Sequence, residues 1–141
     1  MTPEVRRVSP DSLAAFYDEH EREALKAFYQ FAVIWLDRSY GFSVMEEDRI
    51  VAAGTLRVAA SLGHVERLVV AAGHRRRGLG GALLASMAEV ANYYNCHKMT
   101  VMVPHLRDAQ QFFEARGYSV EAILPQHTFK MDMAVLRRFL L

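Results

Sequence analysis

The chain has 141 residues, 52% of them hydrophobic and 23% charged, with 17 Lys and Arg against 16 Asp and Glu for a formal net charge of +1. That length and balance predict one globular domain over residues 1–141 and speak against a polyanion-binding protein, a charged tail or a two-domain architecture. The lone Cys96 excludes an internal disulfide framework, charged residues at Glu4, Arg6, Arg7 and Asp11 leave no secretory apolar stretch, and no run reaches membrane-spanning length, so a cytoplasmic protein without membrane or nucleic-acid partners is expected.

In chain order, residues 4–8 read as a short strand, ended by Ser9-Pro10. Two helices follow, over residues 11–19 and 21–37; the second places Leu25, Phe28, Phe31, Ala32, Trp35 and Leu36 at helical spacing. Residues 42–46 and 50–60 form a predicted hairpin around the polar turn Glu47-Asp48-Arg49, and Gly63 opens a strand over residues 65–70. A helix over residues 82–94 aligns Leu83, Met87, Val90 and Tyr94 with Leu79, and Asn95 offers a left-handed stop. A strand at residues 99–103 closes at Pro104, and a short helix over residues 107–116 ends at Gly117. Strands over residues 118–124 and 128–133 complete the chain. The order is βααβββαβαββ, and the apolar residues Val135, Leu136, Phe139, Leu140 and Leu141 remain as a tail.

The segment Arg75-Arg76-Arg77-Gly78-Leu79-Gly80-Gly81 lies between a predicted strand and a predicted helix. Glycines admit a ligand close to the backbone, the first N–H groups of a helix lack partners within it, and arginines add charge-assisted hydrogen bonds, so the segment fits a phosphate cradle. Other readings use the same residues. A dinucleotide fingerprint wants a small residue where Leu83 stands and no preceding arginines, a P-loop wants Gly-Lys-Ser/Thr, and a basic surface patch for nucleic acid would rest on three charges in a nearly neutral chain.

The spacing Arg75-x-x-Gly78-x-Gly80 resembles the pyrophosphate loop of the GNAT acetyltransferase superfamily. The stretch from Val70 through Ala72 and His74 to Gly78 is similar to the line leading into that loop. Downstream, Ala109-x-x-Phe112-Phe113-Glu114-x-x-Gly117-Tyr118 resembles a second family segment in register. The resemblance covers nearly the whole chain. It implies an α/β fold with a mixed, mostly antiparallel sheet of about seven strands flanked by about four helices. It also implies acetyl-CoA as cosubstrate and direct acetyl transfer to an amine in a ternary complex. Leu68, Val69 and Val70 would hydrogen-bond the pantetheine arm, and Arg75, Arg76, Arg77, Gly78, Leu79, Gly80 and Gly81 would hold the diphosphate.

Acetyl transfer needs a neutral amine, stabilisation of the thioester oxygen and a proton for the thiolate. By the resemblance, the usual general acid falls on Phe113, which has no proton to give. A frequent asparagine falls on Leu106, and a glutamate of peptide-directed relatives falls on Val101. His64 occupies a position where some relatives carry a basic glutamate, and a histidine titrating near neutrality suits a proton relay. Glu66 shares its strand parity and could share the work or bind the substrate ammonium. Either can equally be a solvated strand residue. His105, past Pro104, is a third candidate, while Tyr93, Tyr94 and Tyr118 are phenols that nothing points at the sulfur.

His20, His97 and His127 show no ligand spacing with one another or with Cys96, so no metal is expected. Cys96 reads as a small buried hydrophobe, and Trp35, Phe28, Tyr29 and Phe31 as core residues of which one or two could wall an acceptor site. The expected acceptor is a small-molecule amine; the alternatives are a peptide or protein amine, or a non-catalytic CoA sensor. The apolar tail fits either a homodimer contact or a short amphipathic helix folded over its own sheet.

Overall fold

A computed structural model describes residues 2–30 and 36–140, which fall into two compact units, residues 1–35 and 36–141. In the first, a 3-10 turn Pro10–Leu13 runs into helix α1, Ala14–Tyr29. Pro10 fits the first turn, where its missing N–H goes unneeded, and Gln30, at φ 62°, ends α1 with its N–H on the Lys26 carbonyl. Two helices were expected here. Among the described residues one helix spans both, because Glu19-His20-Glu21 contains no helix breaker and α1 runs through it without interruption. Residues 4–8 form no strand, since they pair with no other segment among the described residues. Residues 31–35 of the expected second helix, with Trp35, lie outside the described residues.

The second unit is a six-stranded sheet with strands β1 Arg38–Glu46, β2 Arg49–Ala59, β3 Leu62–Val70, β4 Lys98–Pro104, β5 Ser119–Thr128 and β6 Met131–Phe139, in the spatial order β1-β2-β3-β4-β6-β5. Helices α2, Leu79–Tyr93, and α3, Asp108–Glu114, complete it. The expected α/β class stands, and among the described residues there are six strands where about seven were expected and three helices where about four were. The hairpins β1–β2, β2–β3 and β5–β6 turn on Glu47-Asp48, Ala60-Ser61 and Phe129-Lys130, each pair with both residues at positive φ. Such turns match the twist of the flanking strands. Here non-glycine residues carry them. β3 and β4 are parallel and are joined through α2, as parallel neighbours require.

The core lies between the sheet and the helices. Leu56 and Val58 of β2, Val65 of β3, Met99, Val101 and Val103 of β4, and Ala134 and Leu136 of β6 meet Leu84, Met87 and Ala91 of α2 and Phe113 of α3. Alternate strand residues point inward, as the two-residue period dictates. Close packing of α2 needs small residues beneath it: a side-chain Cβ on Gly63 would stand 2.8 Å from Met99 Sδ and 3.0 Å from Ala91 Cβ. Of the C-terminal residues expected as a tail or helix, Val135, Leu136 and Phe139 belong to β6, which is paired on both sides with Leu136 fully buried; Leu140 follows the strand, and Leu141 lies outside the described residues. The run Val135-Leu136-Arg137-Arg138-Phe139 has no two-residue alternation of its own, and pairing with β4 on one edge and β5 on the other makes it a strand. Among the described residues no helix is long and apolar enough to cross a membrane.

Candidate functional site

The site begins as an interruption in the sheet. Thr55 pairs with Arg67, but the next residue, Leu56, pairs with Val65, so Glu66 is an extra residue that bulges β3. Bulges bend a strand and sharpen its twist. Beyond that point β3 keeps its bonds to β2 as far as Val70, while its parallel pairing with β4 stops at Val65 and Val101. Leu68, Val69 and Val70 therefore turn an unpaired backbone edge toward the gap, and unpaired edges are templates for an extended ligand.

That edge leads into the glycine segment. Arg76 at φ 61° and Gly78 at φ 78° reverse the chain, and the first helical bond of α2 runs from the Ala82 N–H to the Gly78 carbonyl. No side chain caps α2, which leaves the N–H groups of Leu79, Gly80 and Gly81 without helical acceptors at the positive end of the dipole. A Cβ on Gly80 would stand 3.2 Å from the Phe112 ring and 3.7 Å from Val70 Cγ2. Edge and cradle share one cavity of about 720 Å³, lined by Leu68, Val69, Val70, Arg75, Arg76, Gly78, Leu79, Gly80 and Gly81 on one side. His74 and the α3 residues Asp108, Ala109, Phe112 and Phe113, with Arg116, complete the lining. A cavity of this size suits a cofactor-sized ligand.

Of the residues expected to hold phosphate, Arg77 alone does not line this cavity. Its Nη2 and Nη1 donate to Glu46 Oε1 at 2.5 Å and Oε2 at 3.2 Å, fastening the loop to the end of β1. Hydrogen bonds from Arg77 hold the Glu46 carboxyl below its ordinary range. Arg75 stays beside the cavity, where its Nε donates to the Val70 carbonyl at 3.2 Å. Arg116 lines the cavity and was not expected from sequence. It lies forty residues beyond Arg76, and only the return of α3 across the cradle brings it there.

His64 and Glu66 share the sheet face turned away from α2, where Ser39, Arg57, His64 and Thr100 stand in register across β1 to β4. Neither lines the cavity; both precede Leu68, its first β3 residue. His64 Nδ1 lies 2.8 Å from Thr100 Oγ1, and Ser39 Oγ donates to Glu66 Oε1 at 3.3 Å. Burial lowers the His64 pKa below its ordinary value, with Glu66 pulling it up and Arg57 adding to the fall. The imidazole is therefore held neutral near pH 7, the form that accepts a proton. Arg57 itself is clamped to Asp37 by two hydrogen bonds of 2.9 and 2.6 Å.

His105 follows β4 with its N–H on the Asp132 carbonyl. Its Nδ1 lies 3.0 Å from Oε1 of the buried Gln110, the oxygen that also accepts the Leu106 N–H at 2.8 Å. A backbone N–H can only meet the amide oxygen, so Nδ1 is the protonated nitrogen and Nε2 the basic one. On α3, Phe113 is buried and packs edge-to-face on Tyr118 with ring centroids 5.2 Å apart. The Tyr118 hydroxyl is buried without a hydrogen-bond partner, and burial pushes its pKa up to about 12. A phenol so placed is a poor proton donor at neutral pH. Tyr94 stacks on Tyr40 at 5.3 Å and Tyr93 is exposed; neither lines the cavity. Burial pushes the Cys96 thiol up, the mark of an inert cysteine. Among the described residues no cluster of His, Cys, Asp or Glu could hold a metal ion.

Comparison with known proteins follows the same lines. The family model described as the acetyltransferase (GNAT) family matches residues 5–118. No curated protein matches the chain. Among solved structures, an acetyltransferase from Bacillus cereus aligns with a TM-score of 0.74 at 15% identity over 98% of each chain. The ribosomal-protein-S18-alanine N-acetyltransferase from Escherichia coli aligns at 0.65 and 18% identity, over 95% of this chain and 91% of that one. The PaiA N-acetyltransferase from Thermoplasma acidophilum, in complex with coenzyme A, aligns at 0.62 and 11% identity, over 94% and 80%. At these identities the likeness is one of fold.

Proposed function

Since this chain belongs to the GNAT acetyltransferase family and is an acyltransferase, we propose that it moves the acetyl group of acetyl-CoA to the primary amine of a small molecule, by direct transfer in a ternary complex. The observation that carries this reading is the continuous path from the unpaired edge of β3, residues 68–70, into the uncapped N-terminus of α2, within one cavity. The residues fit the cosubstrate. An extended amide-bearing arm can add to the free strand edge, and a diphosphate matches the N–H groups of Leu79, Gly80 and Gly81 with Arg75 and Arg76 beside them. The absence of a Cβ at Gly80 keeps that approach open.

When bound, acetyl-CoA supplies a thioester carbonyl open to attack by a neutral amine. The backbone of residues 68–70 orients the arm, and a free N–H on this edge donates to the carbonyl oxygen as it gains charge. His64, held neutral by burial, takes one proton from the acceptor ammonium through water, and as the new C–N bond forms and the C–S bond breaks the second passes through water to the departing thiolate. Glu66, exposed at the bulge beside it, attracts the cationic substrate.

A second reading, a CoA-binding sensor, is favoured by Phe113, which puts an apolar ring where the family's acid falls. Turnover separates the two. Purified protein incubated with acetyl-CoA and a panel of small amines should release free thiol, read with a thiol reagent. Tight CoA binding with no thiol released on any small amine or peptide amine would overturn the enzyme reading in favour of the sensor.

A further inference from the structure

Arg116 owes its position to the way α3 ends. Gly117, at φ 89°, closes the helix with its N–H on the Glu114 carbonyl, and the Tyr118 N–H returns to the Phe113 carbonyl at 3.1 Å. This left-handed stop turns residue 116 back along the helix. Arg116 Nη1 donates to the Phe112 carbonyl at 2.9 Å, and the guanidinium lies over the Phe112 ring, 3.8 Å from its centroid. A hydrogen bond and a cation–π contact hold a side chain that would otherwise sample many rotamers.

Its outlook is equally specific. Arg116 Nε and Nη2 stand 3.1 and 3.3 Å from where a Cβ on Gly81 would be, while the corresponding position on Gly80 faces Phe112 and Val70. The cavity therefore runs in order from the β3 edge, past Gly80 and Phe112, to Gly81 and Arg116. Among the described residues Arg116 forms no ion pair, in contrast to Arg77. The cavity's lining includes one carboxylate, Asp108, at the start of α3. The free donors of an anchored guanidinium thus stand over Gly81, one residue past the Gly80 position that faces Val70 of β3.

Resting on the reading of this cavity as the coenzyme A site, we propose that Arg116 is a specificity-determining residue that binds the 3′-phosphate of coenzyme A. The order of chemical groups in the ligand matches the order of groups in the wall. The pantetheine arm lies on β3, the diphosphate on the helix start, and the 3′-phosphorylated ribose beyond it, at Arg116. A phosphate monoester carries nearly two negative charges, and an arginine fork meets two of its oxygens at once. Dephospho-coenzyme A lacks only that group.

Calorimetric titration with coenzyme A and with dephospho-coenzyme A tests this on the unmutated chain and on Arg116→Ala. The unmutated chain should favour coenzyme A by about 10- to 100-fold, the worth of a charge-assisted hydrogen-bonded pair. In Arg116→Ala that preference should vanish, with dephospho-coenzyme A affinity held within about twofold, which also shows the cavity still folded. Equal losses for both ligands would place Arg116 on the diphosphate and overturn the assignment, as would an unchanged preference. An unmutated chain that binds neither ligand would instead overturn the coenzyme A reading beneath it.

Discussion

A single imidazole decides the expected pH behaviour. In the proposed reaction His64 acts as a base only when neutral, and burial holds its pKa below the ordinary histidine value. Activity limited by this group is therefore flat above that pKa and falls as pH drops below it, because protonation removes the base. In His64→Ala the acid limb should disappear and kcat should fall by about 10²–10⁴-fold, with coenzyme A affinity unchanged. A pH–rate profile identical to that of the unmutated enzyme would exclude the role. Tyr118 gives the opposite expectation. Its hydroxyl has no partner, and its pKa of about 12 keeps it from donating, so Tyr118→Phe should leave kcat unchanged and hold or raise the melting temperature. A large drop in kcat in that variant would return the phenol to the mechanism.

At the level of elements, glycines set how closely strands and helices approach. Gly80→Val should abolish coenzyme A binding by calorimetry while the far-ultraviolet dichroism stays native, because the new branches crowd the Phe112 ring and cover the helix start. Gly54 in β2 is a structural counterpart. A Cβ there would press on Met87 and stand 2.9 Å from the Arg67 carbonyl oxygen, a backbone atom opposite the bulge. Met87 can move and the carbonyl cannot, so Gly54→Ala should cost about 1–3 kcal/mol, read as a lower urea midpoint with an unchanged slope. The bulge at Glu66 follows directly on Val65, the last β3 residue paired with β4.

For the sheet as a whole, β6 is the strand that joins β5 to the rest. It pairs with β4 from Met133 to Phe139 and with β5 along its other edge. A chain ending at Ala134 loses the buried Leu136 and most of that ladder. It should fail to give a cooperative thermal transition, rather than persist as a folded and less associated form. A cooperative melt of the shortened chain would show that the C-terminal residues are dispensable to the sheet.

Several features were legible because they depend on local chemistry. Periodicity marks β1 to β4, α2 and α3. Asn95 and Gly117 stand at φ 61° and 89°, as helix stops should. The glycine segment reads as an anion site because glycines and a helix start bring free backbone N–H groups within reach of a ligand. The turns at Ala60-Ser61 and Phe129-Lys130 were not legible, since neither contains the residues that favour positive φ, and strand pairing on either side imposes it. The C-terminal residues read as a tail for a related reason: a strand in mid-sheet is defined by neighbours distant in sequence. Charge alone could not tell which arginine faces the ligand. Three adjacent arginines look equivalent in sequence, but Glu46 draws Arg77 away, and the fold of α3 sets Arg116 against Gly81. Backbone conformation is largely a property of neighbouring residues, whereas the direction of a long charged side chain is settled by whichever partners the tertiary structure brings within reach.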